Sequence, residues 1–471
     1  MPNSLSRRTF VGGSAATLGF AFAGAGSLDP FISSASAATR TSRGYGPLQP
    51  AGPLLALPKG FSYKVIGQSG IAGANGFVHP GDPDAMGWFA RPGGGSVLVS
   101  NHELAGSDAF AVPHVDGLVY DTGGIGGTST IVLDADNEVV DQYASLAGTW
   151  NNCAGGVTPW DTWLTCEETE ARAGGALTKD HGYVFEVDPT SPAANVGRSP
   201  LPLKFLGRYA HEAAAVDPAT GSIYLTEDAS GPNGLYYRWT PPAGFRPGRG
   251  ALHALAATGA VEVGTLEAMK CYDEDGNHVP DLSIATEVNT VYTVQWVTVP
   301  DRDARAVSVR KQFAQDQITR SRKLEGQWWD DGGAYFVASF ARLSDGSVRE
   351  HDGQVWFYDP KKSRIRLTTI FGVNPDPATG DVNFDGPDNI TVSPHGGLIL
   401  AEDGEGRSHL VGVTEQGKAY PLALNLLNDS EFCGPVFNAS GSTLFANIQT
   451  PGYTVAITGP WGRPSNAGRG V

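Results

Sequence analysis

Short runs of alternating apolar and polar residues dominate the chain after its first forty positions, and Gly, Pro, Asp and Asn residues separate these runs. Alternation with a period of two is typical of half-buried β-strands, whereas the spacing of an amphipathic helix is hard to find here. The pattern therefore predicts an all-β fold. A similar phrase of apolar and acidic residues that ends in Asp-Pro occurs at 182–189 and at 353–360. Such self-similarity indicates a repeat architecture.

Six apolar runs end in polar or acidic residues. They are VLVSNHE (97–103), WLTCEE (163–168), IYLTED (223–228), YFVASF (335–340), LILAED (398–403) and LFANIQ (444–449). We interpret each run as the innermost strand of one blade in a six-bladed β-propeller, because such strands end together at one mouth of the central channel. An ordinary sandwich is the alternative. The long interval after the third run predicts an insertion between blades at roughly 241–330, within a single propeller domain at 38–471.

Residues 1–37 have the pattern of a signal peptide. Arg7 and Arg8 precede an uncharged and weakly apolar stretch, and Ala35-Ser36-Ala37 forms a small-residue cleavage site. These features predict the twin-arginine export machinery as a partner, a secreted or periplasmic location, and no stable membrane anchor after cleavage. An uncleaved N-terminal anchor is the alternative.

The overall charge limits the classes of partner. The formal net charge is −16, and no run of Lys or Arg offsets it. Such a surface repels nucleic acid and anionic lipid, so we expect cations or small molecules as partners and no nucleic-acid binding. The four cysteines at 153, 166, 271 and 433 are too few for a disulfide scaffold in 471 residues.

Acidic residues meet at one mouth if the six runs converge. The residues concerned are Glu103, Glu167 or Glu168, Glu227 or Asp228, and both Glu402 and Asp403. Carboxylates crowded together repel one another unless cations are bound, and calcium prefers such oxygen ligands. A D-x-N-x-D-G sequence at 381–386 adds Asp385, and Asp388 and Asn389 follow it; the sequence has Val392 where an EF-hand requires Glu. The acidic turn at 273–276 is a weaker match, which we interpret as a solvated turn.

Cys153 lies among small residues at 151–156, where the backbone can approach a ligand closely. A thiolate near the acidic residues selects a softer metal such as iron. A disulfide with Cys166 is the alternative, and the spacing does not decide between the two. The sequence contains no nucleophile elbow, P-loop or dinucleotide motif, and His211-Glu212 lacks the second His of a zincin helix.

Five segments resemble the PhoX-type alkaline phosphatases, namely 151–168, 211–228, 325–339, 384–406 and 441–452. The resemblance implies hydrolysis of phosphate monoesters by a mixed iron–calcium cluster at the channel mouth, with a metal-bound oxygen as nucleophile. The ligands it implies are Cys153 on iron, Glu168, Glu212 and Glu325 around iron and calcium, and Asp388, Asn389, Glu402 and Asp403 on the calcium side. Further expected ligands are Glu103, Glu227, Asp228 and Asp385, and the residues expected to contact substrate are Asn101, His102 and Arg322.

One position departs from the family pattern. The residue two before Glu325 is commonly Arg in the family, where it resembles a phosphate clamp, but here it is Lys323. A lysine keeps the charge and loses the planar fork that grips two oxygens. An exposed loop lysine without a role is the other interpretation. Two functions compete with a phosphatase: a calcium-dependent lactonase-like hydrolase, and a non-catalytic propeller that binds metal or phosphate.

Overall fold

The computed structural model describes residues 39–196, 200–374 and 384–467. Its strands, in chain order, are β1 (Leu48–Pro50), β2 (Leu55–Pro58), β3 (Ser62–Gln68), β4 (Pro83–Ala90), β5 (Ser96–His102), β6 (Gly126–Leu133), β7 (Val139–Thr149), β8 (Asn152–Val157), β9 (Trp163–Glu167), β10 (Val184–Val187), β11 (His211–Val216), β12 (Ile223–Glu227), β13 (Tyr236–Thr240), β14 (Thr265–Tyr272), β15 (His278–Val279), β16 (Val291–Thr298), β17 (Leu324–Asp330), β18 (Gly333–Ala338), β19 (Gly353–Asp359), β20 (Arg364–Phe371), β21 (Pro387–Val392), β22 (Leu398–Glu402), β23 (His409–Val413), β24 (Ala419–Asn425), β25 (Phe432–Phe437), β26 (Thr443–Ile448) and β27 (Tyr453–Thr458). The helices are α1 (Pro192–Val196) and α2 (Ala251–Ala256), with short 3₁₀ helices at Lys204–Leu206, Leu282–Ile284, Val309–Gln312 and Leu343–Asp345. The predicted signal peptide and the first three residues of the predicted calcium loop, 381–383, lie outside the described residues.

Hydrogen bonds join the strands of the described residues into five antiparallel sheets. Two have four strands, in the orders β4-β5-β6-β7 and β25-β26-β27-β3, and one has the three strands β8-β9-β10. A six-stranded sheet has the order β1-β2-β24-β23-β22-β21. The largest has the order β11-β12-β13-β14-β16-β20-β19-β18-β17, with β15 paired to β14. Because β3 pairs with β27, an early strand and the last described strand belong to one sheet.

One edge strand of each unit contributes to a central ring. In the described part of the chain, β4 packs on β8, β8 on β11, β11 on β17, β17 on β21, β21 on β25, and β25 again on β4. The all-β prediction is confirmed, and the sheets have a propeller-like arrangement. The prediction of six separate blades does not match the five sheets, because β16 pairs with both β14 and β20 and joins two units. Both β14 and β16 lie in the predicted insertion, whose last residues form the ring strand β17 instead.

The prediction that the six runs are innermost strands is wrong by one strand. Each run forms the strand next to the ring strand, which we call the second strand of its unit. They form β5, β9, β12, β18, β22 and β26, and each lies between a ring strand and a third strand. Their residues are almost all buried, which accounts for their apolar character. The ring strands carry mostly small and polar residues at their bulges, as in Asn152-Cys153-Ala154-Gly155-Gly156 of β8, and large apolar residues occur elsewhere in strands such as β4 and β25. Neighbouring ring strands approach closely around the axis, so the bulges have little room for large side chains.

Apolar side chains fill the space between neighbouring sheets around Phe205 and Trp239, and between the two units of the largest sheet around Tyr236 and Trp356. All four cysteines are among the described residues, and all are buried with free thiols. The structure therefore contradicts the alternative of a Cys153–Cys166 disulfide. No helix within 39–196, 200–374 or 384–467 has the length and apolar character needed to cross a bilayer.

Candidate metal centre

Every ring strand contains the same irregularity near its first residue. Two consecutive residues face one residue of the second strand, which defines a β-bulge. The bulged pairs in the described residues are Asp84-Ala85, Cys153-Ala154, Glu212-Ala213, Glu325-Gly326, Asp388-Asn389 and Gly434-Pro435. A bulge bends its strand and redirects a side chain, and bulges are frequent beside active sites. Five of the six bulges therefore place a carboxylate or a thiol at the same position of the ring.

Three overlapping groups of residues with metal-ligand atoms lie at the mouth of the ring, where the bulges are found. In the part of the chain that the structure describes, they are Cys153, Glu168 and Glu212; Glu212, Glu325 and Asp388; and Asp388, Asp403 and Glu431. Within a group, one ligand atom of each residue lies within 4.8 Å of the others. Since Glu212 and Asp388 each belong to two groups, the three groups form one continuous row. We call them the thiol group, the central group and the carboxylate group, in that order.

The row contains six of the residues predicted as ligands and one that the sequence did not indicate. Glu431 comes just before β25, outside every apolar run, so no pattern marks it. Asp84 was also missed, although it occupies the same bulge position in β4 as Cys153 does in β8. Burial raises the pKa of the Cys433 thiol, and the Asp84 carboxylate is the next largest cause; the pKa of the Cys153 thiol is raised by burial, then by Glu212 and Glu168, and then by Asp84. No apolar run ends at Asp84, so the sequence pattern could not have indicated it.

At the ends of β9 and β22, two consecutive acidic residues point in opposite directions, because successive side chains of a strand alternate between its two faces. Glu168 and Asp403 belong to the groups described above. The preceding residues, Glu167 and Glu402, accept hydrogen bonds from buried histidines outside the mouth. Glu227 accepts hydrogen bonds from Tyr237 Oη (2.6 Å) and from Arg310 (3.1 Å). In the part of the chain that the structure describes, Glu402 and Glu227 thus lie outside the three groups.

Three further predicted ligands lie near the row without belonging to a described group. Glu103 accepts hydrogen bonds from Asn151 (3.1 Å) and Gln449 (2.7 Å), which come from the sheets on either side. Asp228 Oδ2 lies 3.1 Å from Lys323 Nζ. Burial, followed by repulsion from Glu402 and Asp352, raises the pKa of Asp385 to about 8.

Asn101, His102 and Asn389 support the backbone of the mouth. Asn101 Nδ2 donates to the carbonyl oxygens of Cys153 (2.9 Å) and Ala154 (2.7 Å), which the bulge leaves unpaired in the sheet. The ring nitrogens of His102 lie 2.7 Å from Gly81 O and 2.7 Å from Ser129 Oγ. Both side chains are fully buried beneath the mouth, and their hydrogen bonds are to groups of the protein.

Asn389 has a similar role on the opposite side of the ring. Its Oδ1 accepts a hydrogen bond from Gly434 N (2.6 Å), and its Nδ2 donates to Asp388 Oδ1 (3.0 Å). It therefore links two bulges and orients Asp388, a residue of the row.

Lys323 is buried, so the interpretation of an exposed loop lysine is wrong. Its Nζ lies 2.8 Å from Glu325 Oε1 and 3.1 Å from Asp228 Oδ2. The residue has a φ of +44°, which is unusual for a side chain other than glycine and turns the backbone just before β17. Its ammonium group also lies 5.9 Å from the centre of the Phe340 ring.

Two guanidinium groups share that ring with Lys323. The Cζ atoms of Arg322 and Arg342 each lie 5.6 Å from the centre of Phe340. Arg322 Nε also donates to Asp345 (3.1 Å). The three cations thus lie around one aromatic ring, and each is also ion-paired with a carboxylate: Arg322 with Asp345, Lys323 with Asp228 and Glu325, and Arg342 with Asp352.

The floor of the mouth is nearly closed. A cavity of ≈ 20 Å³ lies between the bulges, lined among others by Ala85, Ala154, Ala213 and Gly326. This volume holds about one water molecule, so a substrate reaches the row from the mouth and not through the ring. The larger cavity of ≈ 740 Å³ lies among turns at the opposite ends of the strands, including 392–398 and 413–417, and contains none of the row.

The charges of the row fit bound cations. Burial, followed by repulsion from Glu212 and Glu168, raises the pKa of the Cys153 thiol well above its usual range. A cation reverses this effect, because a positive charge stabilises both the thiolate and the carboxylates around it. A thiol with two carboxylates suits a softer transition metal, and groups of carboxylates alone suit a hard cation such as calcium. The donor set therefore fits two kinds of metal.

Comparisons with known proteins agree with this geometry. The family model described as alkaline phosphatase PhoX matches residues 135–452, which is well over half of the chain. The chain belongs to the PhoX alkaline phosphatase family. The resemblance stated from the sequence is thus confirmed, and so is the assignment to the phosphatases.

The solved structure of Pseudomonas fluorescens PhoX in complex with vanadate, a transition-state analogue, is similar to this chain with a TM-score of 0.62 and 18% identity. The match covers 90% of this chain and 98% of the other, and it supports the fold. A gluconolactonase from Xanthomonas campestris is more distant, with a TM-score of 0.42, 13% identity, and coverage of 89% and 100%. A search of curated proteins found no match.

Proposed function

We propose that this PhoX-family phosphatase hydrolyses phosphate monoesters with iron at the thiol group and calcium at the central and carboxylate groups. The observation that carries the proposal is the continuous row of three ligand groups, in which Cys153 provides the one thiol. Glu212 would be shared by iron and calcium, and Asp388 by two calcium ions. Bound in this way, the cations would attract phosphate oxygens and offset the charge that develops during phosphoryl transfer.

The chain's own residues would hold and orient the reacting ester. Lys323 is held by Glu325 and Asp228, so its ammonium group serves as a fixed point charge beside the row and not as a two-oxygen clamp. Arg322 retains the planar guanidinium fork and lies beside the same Phe340 ring as Lys323. We infer that Arg322 contacts the ester's non-reacting oxygens while Lys323 orients Glu325. The cavity between the bulges is too small for the ester, so the ester would reach the row from the mouth.

The proposal extends to architecture and export. We infer that the five sheets represent six blades, because β11 to β14 and β17 to β20 each repeat the four-stranded unit and the ring has six strands in the described residues. We also infer export by the twin-arginine route to a secreted or periplasmic location, from Arg7 and Arg8. Replacement of both arginines by lysine should leave the protein in the cytoplasm, as fractionation would show.

The direct test is hydrolysis of 4-nitrophenyl phosphate by the purified protein at alkaline pH. We expect activity with added calcium and its loss after chelation, with recovery when calcium returns. Protein that contains iron and calcium and binds inorganic phosphate without turnover would instead be a non-catalytic binding propeller. Turnover of a lactone and not of the phosphate ester would favour the lactonase-like alternative.

Two cysteine variants test the position of iron. Cys166 is the single residue that faces the bulge of Cys153 in the neighbouring strand, and both thiols are fully buried. Cys153→Ser should therefore lose iron and its thiolate-to-metal absorption, whereas Cys166→Ser should keep both. Equal iron content in the two variants, measured by elemental analysis, would refute the assignment of Cys153 as a ligand.

A further inference from the structure

Glu167 and His181 form a buried ion pair directly behind the thiol group. His181 Nδ1 lies 2.6 Å from Glu167 Oε1, and its Nε2 lies 3.4 Å from Asp121 Oδ2. All three side chains are completely buried. Burial lowers the pKa of His181, but the carboxylates of Glu167 and Asp121 outweigh it and raise the pKa.

Glu167 connects this pair to the backbone that carries two ligands. Its Oε1 also accepts a hydrogen bond from Trp150 N (3.0 Å), and its Oε2 accepts from Gly182 N (2.8 Å) and Tyr183 N (3.1 Å). Trp150 begins the short connection to Cys153, and Glu167 immediately precedes Glu168. The Glu167 carboxylate thus fixes both the end of β9, which precedes Glu168, and the connection that leads to Cys153.

The same arrangement recurs behind the carboxylate group. His409 donates to Glu402 Oε2 from its Nδ1 (2.8 Å) and from its backbone N (2.7 Å). Glu402 Oε1 accepts a hydrogen bond from Asp385 N (3.0 Å), three residues before Asp388. Glu402 also immediately precedes Asp403. The pair again contacts the backbone on both sides of a group, this time the group of Asp388, Asp403 and Glu431.

We propose that His181 and His409 are positioning residues for two different metal groups: His181 for the thiol group and His409 for the carboxylate group. This inference rests on the proposed function, because it assumes that both groups bind ions. Glu402 thereby serves as a support for Asp403 and not as a ligand. The physical reason is mutual repulsion: ligand carboxylates repel one another, so each strand end needs a fixed anchor outside the mouth.

Position-specific metal loss tests the proposal. Supporting residues of metal ligands typically change affinity by about 10- to 100-fold when they are replaced. His181→Gln should weaken iron binding by that factor and leave calcium at the carboxylate group unchanged. His409→Gln should do the reverse. Iron is measured by elemental analysis and by its thiolate absorption, and calcium by competition with a chromogenic chelator.

A third variant controls for general destabilisation. Arg310 pairs with Glu227, which ends β12 as Glu167 ends β9, but the following Asp228 belongs to no described group. Arg310→Gln should therefore lower the thermal midpoint and leave both metal contents near those of the unmodified protein. If His181→Gln does not fold, Asp121→Asn replaces it, because this change keeps the contact between His181 and Glu167 and should cause a smaller loss of iron alone.

The outcomes separate this inference from the proposed function. An unmodified protein that binds neither metal would refute the proposed function. Normal metal binding in the unmodified protein, together with unchanged iron in His181→Gln and unchanged calcium in His409→Gln, would overturn the positioning roles alone. Equal loss of both metals in all three variants would also overturn them, because it would show only a common loss of stability.

Discussion

Gly326 offers a sharp test of how tightly the ring is packed. It is the second residue of the bulge in β17, directly after Glu325. A Cβ atom added there would lie 2.7 Å from Asn389 Cα and 2.8 Å from Asp388 O. Both are backbone atoms of the neighbouring bulge, so rotation of a side chain cannot relieve the contact. Either β17 or β21 must move.

The expected cost of Gly326→Ala follows from this contact. Insertion of a methyl group into a well-packed region that must shift its backbone destabilises a protein by about 1–3 kcal/mol. The displaced segment carries Asp388, which belongs to both the central and the carboxylate groups. If binding of cations has to restore the original position, the same free energy weakens binding by about 5- to 150-fold.

Urea unfolding in the presence of a chelator measures the first effect, and calcium titration of the folded protein measures the second. Gly248→Ala is the matched control, because no atom lies within 4 Å of the Cβ it would add. We expect Gly248→Ala to remain near the unmodified protein in both assays. If Gly326→Ala matched that control in stability and in calcium affinity, the close packing of the bulges would not constrain the metal centre, and the reasoning would be refuted.

Two further substitutions test the charges around the mouth. Lys323→Met leaves the buried carboxylates of Asp228 and Glu325 without their shared cation. The free energy of unfolding of the metal-free protein, measured in urea, should therefore fall by about 3–5 kcal/mol, whereas Lys323→Arg should lower it much less. Equal stability of the two variants would contradict the ion pairs. Burial, with His79 nearby, lowers the pKa of His102 to about 3, against about 6.5 in an unfolded chain. Its neutral form therefore contributes full stability above about pH 6.5, and this contribution falls by about 1.4 kcal/mol per pH unit as the pH decreases toward 3. His102→Gln should show a shallower acid dependence of unfolding by that amount between about pH 6 and 4, and an unchanged slope would show that His102 is not buried as a neutral ring.

The sequence was informative where chemistry and burial coincide. Second strands are buried on both sides, so they appear as apolar runs, and their ends mark the mouth through residues such as Glu168 and Asp403. The segments that resemble the family carry Cys153, Glu212 and Glu325, and the structure brings all of these into the row. These features were predictable because they depend on residue type within short stretches.

The features that could not be predicted depend on the register of the strands and on the closure of the ring. No short stretch of sequence encodes either of these. The sequence cannot tell whether Glu167 or Glu168 faces the mouth, because one residue of shift exchanges the two faces of a strand. The bulges are equally hidden, since a two-residue bulge leaves no apolar signature in a strand of small residues. Glu431 enters the carboxylate group only because β25 packs between β21 and β4. The joining of two units through β16 likewise follows from pairing across a long interval.

The distribution of ligands over the ring links metal binding to ring closure. The thiol group takes its residues from two neighbouring sheets, and the central group takes one residue from each of the ring strands β11, β17 and β21. A fragment that lacks one of these strands cannot assemble the central group, so ions bind strongly only after the ring has closed. Binding to the closed state alone stabilises it by mass action. Removal of the cations should therefore loosen contacts between units before it disrupts the hydrogen bonds within a sheet, and hydrogen exchange at the bulges of β11, β17 and β21 should increase before exchange in the second strands.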